Sequence, residues 1–128
     1  MANVPEELRY SKDHEWVSFD EGEGVATVGI TDYAQGELGD VVFVELPAVG
    51  ETVAANTACG TIEAVKAVAE LFAPVSGEVV DANTTLEDHP ETVNADPYGE
   101  GWMIRIRLSD RGELDDLMDA AGYTEHIG

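Results

Sequence analysis

The sequence predicts a mainly β chain with short helices and one helix at the C-terminus, and three features of the pattern carry that expectation. Short runs rich in β-branched and aromatic residues, such as Val41-Val42-Phe43-Val44-Glu45-Leu46, are separated by Gly, Pro and Asp. Trp102 to Leu108 alternates apolar with charged residues toward its end, as a half-exposed strand does. Near the end, Leu114, Leu117, Met118 and Ala121 recur at helical spacing.

In chain order, His14 to Phe19 and Val25 to Ile30 flank the turn-like Asp20-Glu21-Gly22-Glu23-Gly24, which predicts a hairpin. Thr31 suits the N-cap of a short helix from Asp32 to Leu38, with Asp32 favourably placed in the first turn. Gly39 and Asp40 end it. Pro47 stops the strand that begins at Val41. Further strands are expected at residues 51–55, 59–63, 70–73 and 77–81, and a helical turn within Leu86 to Asn94. Ser109 is the expected cap of the C-terminal helix and Gly122 its stop. No linker divides the 128 residues, so residues 1–128 are expected to form a single domain.

Residues 63–70, Glu-Ala-Val-Lys-Ala-Val-Ala-Glu, pull two ways. Propensity favours a short helix, with Glu63/Lys66 and Lys66/Glu70 at pairing distance. The β-branched Thr61 and Ile62 before it, and Pro74 and Gly77 after it, argue for strands.

Composition excludes several classes of function. Twenty-seven acidic residues against six basic ones give a net charge of −21, which repels nucleic acid and anionic membranes. The acids are spread along the chain. A halophilic proteome would produce that pattern, because salt screens the repulsion among hydrated carboxylates; an ordinary acidic protein is the other reading. The lone Cys59 permits no disulfide within the chain and fits a reducing compartment. The N-terminal residues resemble neither a signal nor a transit peptide, and no apolar run reaches membrane-spanning length, so a cytoplasmic protein is expected. His14, His89 and His126 join no Cys pair at ligand spacing, so no metal site is expected. No Ser-His-Asp order, P-loop or dinucleotide fingerprint is present. Cys59 reads as a small core residue, not as a nucleophile.

The segment around Lys66 resembles the lipoylation segment of glycine cleavage H proteins, which typically runs Glu-Ser-Val-Lys-Ala-x-x-Glu; only Ala64 departs from it. Three further stretches are similar to that family. They are His14-Glu15-Trp16 within Tyr10 to Val17, Val28 to Gln35 continuing through Leu38 to Pro47, and Val93 to Trp102. Together the likeness spans roughly residues 8 to 120.

The resemblance implies a barrel-sandwich hybrid of the lipoyl/biotinyl-carrier kind, with Lys66 at a hairpin tip as the lipoyl attachment residue. Lysine suits an acylated swinging arm because its amine sits on a flexible four-carbon stem; Lys12, the other lysine, lies in no comparable motif. The chain would then be a carrier without catalysis of its own. It would take an aminomethyl group of glycine from a pyridoxal phosphate-dependent decarboxylase to a folate-dependent aminomethyltransferase. Dihydrolipoyl dehydrogenase would reoxidise the arm, and a lipoate-attaching enzyme would install it. Glu63 and Glu70 are candidates for marking the site to the attaching enzyme, or else simply solvate the tip. Glu15 is the candidate carboxylate of a cleft sheltering the arm's cationic cargo, or else an exposed strand residue. The competing classes are other swinging-arm carriers, a lipoate-relay protein and an acidic hydrolase. Biotin carriers usually set Met beside the lysine, where this chain has Val65 and Ala67, and acyltransferase lipoyl domains more often set Asp before it.

Overall fold

A computed structural model describes residues 4–127. The expected hairpin forms from β2 (Glu15–Asp20) and β3 (Val25–Ile30), paired from Glu15↔Ile30 to Asp20↔Val25. β1 (Arg9–Tyr10) adds to the outside of β2. On the other side, β9 (Ile104–Leu108) pairs with β3, β8 (Gly77–Ala82) with β9, and the two-residue β5 (Thr52–Val53) with β8. The resulting antiparallel sheet has the order β1-β2-β3-β9-β8-β5. A second antiparallel sheet contains β4 (Val41–Glu45), β6 (Ala58–Ala64) and β7 (Val68–Phe72), with β6 in the middle.

Period-two patterning decides which side chains enter the core. Ala26, Val28 and Ile30 of β3 point inward, as do Ile104 and Ile106 of β9, while Arg105 and Arg107 point out. They meet Val44, Ile62 and Leu71 of the smaller sheet in one buried apolar cluster, so the two sheets share a core. Each of the Val, Leu and Ile side chains contributes roughly 1.5–3 kcal/mol by leaving water. A second cluster, of Leu8, Tyr10, Trp16 and Tyr123, joins the N-terminal segment to the C-terminal helix.

Helix α1 (Asp32–Leu38) has the expected bounds: the Thr31 hydroxyl accepts from the Ala34 N–H, and Gly39 closes the helix at φ 81°. The segment after β8 makes two single turns, α2 (Thr85–Asp88) and α3 (Thr92–Ala95), each burying one side chain, Leu86 and Val93.

At one segment propensity gives way to the hairpin that the resemblance implies, and one expectation, the C-terminal helix, is corrected. Residues 63–70 are not helical, because β6 is hydrogen-bonded on both sides and this pairing outweighs the helix propensity of its Ala and Glu. The C-terminal helix does not start at Ser109 or stop at Gly122. A 3₁₀ turn (Arg111–Asp116) comes first, capped by Asp110, whose side chain accepts from the Gly112 N–H at 2.9 Å. The chain then extends at Leu117, and Met118 exchanges two backbone hydrogen bonds with Tyr10, both 2.8 Å. Only afterwards does α4 (Ala120–Ile127) form, with Gly122 inside it. The apolar spacing is real, but it serves two clusters: Leu114 and Leu117 pack on the main core, Met118 on the second.

Candidate functional site

The β6–β7 hairpin turns at Val65-Lys66-Ala67. It is closed by the Ala64 N–H donating to Ala67 O at 2.8 Å and tied sideways by the Val65 N–H donating to Asp40 O at 3.0 Å. Ala64 is buried and Val65 is 74% exposed, so the chain leaves the core within one residue and Lys66 is exposed at the tip. Among the described residues no carboxylate lies within ion-pair distance of Lys66, so neither the Glu63 nor the Glu70 pairing forms. The lysine stem instead lies across Gly39: a methyl group built on that glycine would fall 2.9 Å from Lys66 Cε.

A cavity of about 260 Å³ lies between α1, the start of β2 and the β6–β7 hairpin. Ile30, Ala34, Leu38, Ile62 and Ala69 supply its apolar lining; Asp13, His14, Glu15, Glu37 and Glu70 supply its polar one, with no Lys or Arg among them. The hairpin contributes Ile62 and Ala69 because they are a cross-strand pair on its inner face. Glu63, Val68 and Glu70 belong to the opposite set, and Glu70 reaches the cavity rim.

Glu15 is not an exposed strand residue. It is 1% exposed. The Ser11 hydroxyl donates to its Oε1 at 2.6 Å, and the Phe72 N–H of β7 donates to its Oε2 at 3.3 Å. Burial pushes its pKa from 4.5 up to about 8, against the opposing pull of those two hydrogen bonds. The carboxyl is therefore held close to its ionisation point at neutral pH, where a cation placed beside it would drive it to the charged form.

His14 sits at φ 70°, an uncommon left-handed conformation outside glycine. Its Nδ1 lies 2.9 Å from the Tyr123 hydroxyl, which is also 2.7 Å from Thr31 Oγ1, so one phenol links the residue before β2, the cap of α1 and α4. Burial lowers the His14 pKa, with His126 adding to the effect. Trp16 donates its indole N–H to Pro97 O, and the Asp32 N–H donates to the Tyr98 hydroxyl, which fixes the 93–102 segment behind the site.

The structure thus brings Lys66, Glu70 and Glu15 to one hairpin and its cavity, and leaves Glu63 on the outer face. Lys12 lies beside a different cavity, of about 320 Å³, that shares no lining residue with the first. Cys59 packs against the core, and burial drives its thiol pKa up to about 12, which fits a core residue and not a nucleophile. Among the described residues no group of three or more His, Cys, Asp or Glu is placed to hold a metal ion. Sequence reasoning missed Ser11, Tyr123 and Asn94 as partners of the site. The only sequence signal near them is the likeness of the His14-Glu15-Trp16 and Val93–Trp102 stretches to the family, which does not say what they touch.

Residues 8–128 match the family described as Glycine cleavage H-protein. The chain is 51% identical over 127 residues to a glycine cleavage system H protein of Marinobacter nauticus, covering 99% of this chain and 97% of that one. It is 55% identical over 126 residues to one of Chlorobium limicola, covering 98% of both. The crystal structure of a glycine cleavage system H protein from Mycobacterium marinum superposes with a TM-score of 0.89 at 43% identity, covering 98% of this chain and 99% of that one.

Proposed function

The chain belongs to the glycine cleavage H-protein family, and from that premise we propose that Lys66 Nζ is the amine through which it carries a lipoyl group. As a member it is a carrier component of the glycine cleavage system and not itself an enzyme. One observation carries the Lys66 assignment: this exposed lysine stands at a hairpin tip, with its stem directed over Gly39 beside a cavity that holds a buried carboxyl.

The residues present fit such a group. An amine on a flexible stem is free to be acylated. An apolar cavity takes a hydrocarbon arm, and its acidic lining takes a cationic end. When bound, the dithiolane supplies the redox and group-transfer chemistry. The chain's own residues do the rest. Ile30, Ala34, Leu38, Ile62 and Ala69 exclude water from an arm lying in the cavity. Glu15 offers a carboxyl whose ionisation a cationic amine would favour, and that pairing would slow loss of the cargo to solvent.

The proposed partners are the pyridoxal phosphate-dependent decarboxylase, the folate-dependent aminomethyltransferase, dihydrolipoyl dehydrogenase and a lipoate-attaching enzyme. Val42, Phe43, Val65 and Val68 are exposed on the sheet that bears Lys66, with Glu63 among them, which gives those enzymes an apolar surface with an acidic edge to dock on. Because both sheets contribute to one core, we read residues 1–128 as one carrier domain. The single cysteine supports a cytoplasmic setting, and among the described residues no helix is long and apolar enough to cross a membrane. The Lys66→Arg variant tests the reading. It keeps the charge but cannot form the lipoyl amide, so it is expected to fold normally and fail to support glycine cleavage; a variant that still supported it would overturn the assignment.

A further inference from the structure

We infer that Gly39, held in place by Asn94, is the saddle over which an arm on Lys66 bends from the hairpin tip into the cavity. The inference rests on the reading of Lys66 as the arm-bearing residue and goes beyond it by naming what steers the arm.

The geometry begins at the end of α1. Gly39 has φ 81° and ψ −157°, a region open essentially to glycine alone. Its bare Cα leaves the space that the Lys66 stem uses: a methyl there would lie 2.9 Å from Cε, 3.8 Å from Cδ and 3.7 Å from Nζ. Leu38, the residue before it, lines the cavity, so the stem crosses the backbone where the cavity wall begins.

Asn94 of α3 holds this crossing point from below. Its Nδ2 donates to Gly39 O at 2.8 Å and to Gln35 Oε1 at 3.0 Å, and its Oδ1 accepts from the Val41 N–H at 2.9 Å. The adjacent Asp40 O accepts from the Val65 N–H, so the same short loop also grips the hairpin tip. One amide side chain therefore sets the loop that positions the lysine, without touching the lysine itself. Gly39 and Asn94 are positioning residues: they limit the directions in which the arm can leave the tip.

The test installs an arm that does not depend on any attaching enzyme. In a Lys12→Arg background with an acetylated N-terminus, Lys66 is the sole primary amine and can be acylated with a protected 8-aminooctanoyl ester. After deprotection the arm is a methylene chain ending in an ammonium. Two readouts follow. One is nuclear Overhauser contact between the arm's methylenes and the methyls of Ala34, Leu38 and Ile62. The other is the rate at which the terminal amine reacts with a water-soluble acylating reagent.

With Gly39 present, the contacts are expected and the amine is protected. Gly39→Ala is expected to remove the contacts and speed the reaction by about tenfold, and Asn94→Ala to move both in the same direction. Two controls separate steering from lost stability. Gly36→Ala, on α1 where a methyl meets nothing within 4 Å, and Ile106→Val, in the core, are expected to leave both readouts unchanged. Protection that survives both Gly39→Ala and Asn94→Ala overturns the inference, as does protection lost equally in Ile106→Val. Failure to find natural lipoylation at Lys66 would count against the proposed function and would leave these readouts measurable.

Discussion

The Phe72 N–H donates to Glu15 Oε2, joining the strand that descends from the Lys66 hairpin to the buried carboxyl of the neighbouring cavity. β7 belongs to the small sheet and Glu15 to the large one, so this bond crosses between the two layers beside the cavity. Its acceptor is a group whose charge is not fixed at neutral pH, and that makes the site's electrostatics measurable.

The first prediction concerns that charge. Glu15 has a folded pKa of about 8, raised from 4.5 chiefly by burial. A carboxyl with a raised pKa holds its proton in the folded state after the unfolded chain has lost it. Its contribution to stability is therefore complete below pH 4.5 and is lost as pH rises through about 8. Glu15→Gln, a mimic of the protonated acid, removes this dependence. The stability difference between wild type and Glu15→Gln, measured by urea unfolding at several pH values, is expected to move against the wild type between these limits, with a slope of at most about 1.4 kcal/mol per pH unit. A difference that is flat across that range would contradict the account.

A second prediction follows from the phenol of Tyr123. Its hydroxyl serves both His14 and Thr31, and its ring stacks on Tyr10 at a centroid distance of 4.6 Å. Tyr123→Phe keeps the stack and removes both hydrogen bonds. The expected loss is about 1–3 kcal/mol in denaturant unfolding. Amide exchange in α4 should rise with it, since that helix is tied to His14 and to the cap of α1 through this hydroxyl. Unchanged stability and exchange would mean that the linkage carries no weight.

A third prediction concerns salt. Two Arg–carboxylate ion pairs form among the described residues, and His89 with Glu91 makes a third only when the imidazole is protonated; all these groups are at least two-fifths exposed, against a net charge of −21. Exposed pairs contribute about 0–1 kcal/mol each, so screening them costs little. Screening the surplus of like charge gains more, because the Debye length falls from about 10 Å at 0.1 M to about 3 Å at 1 M. The thermal midpoint is expected to rise as KCl increases over that range. A maximum at low ionic strength would instead point to an ordinary acidic protein.

The helix and strands that frame the site were legible in the sequence because they are built from local signals. The Thr31 cap, the Gly39 stop and the β-branched strands each follow from neighbouring residues, and α1 has the bounds that its cap and stop specify. The hairpin was not legible from propensity. Ala, Glu and Lys around residue 66 favour a helix, and only the two flanking strands of the sheet, distant in sequence on one side, overrule them. Resemblance supplied the turn where composition opposed it. The C-terminal pattern misled for a related reason: apolar spacing says which residues are buried, not that one element buries them. Glu15 is the sharpest case. Nothing in His14-Glu15-Trp16 announces a carboxyl shut away from water, since its partners Ser11 and Phe72 come from a loop and from the other sheet.

The central claim is that Lys66 bears the arm. Intact mass followed by peptide mapping of the protein from its native host tests it most directly. A lipoyl amide on Lys66 with Lys12 unmodified is the predicted result; an unmodified or biotinylated Lys66, in cells with working lipoylation, would contradict it.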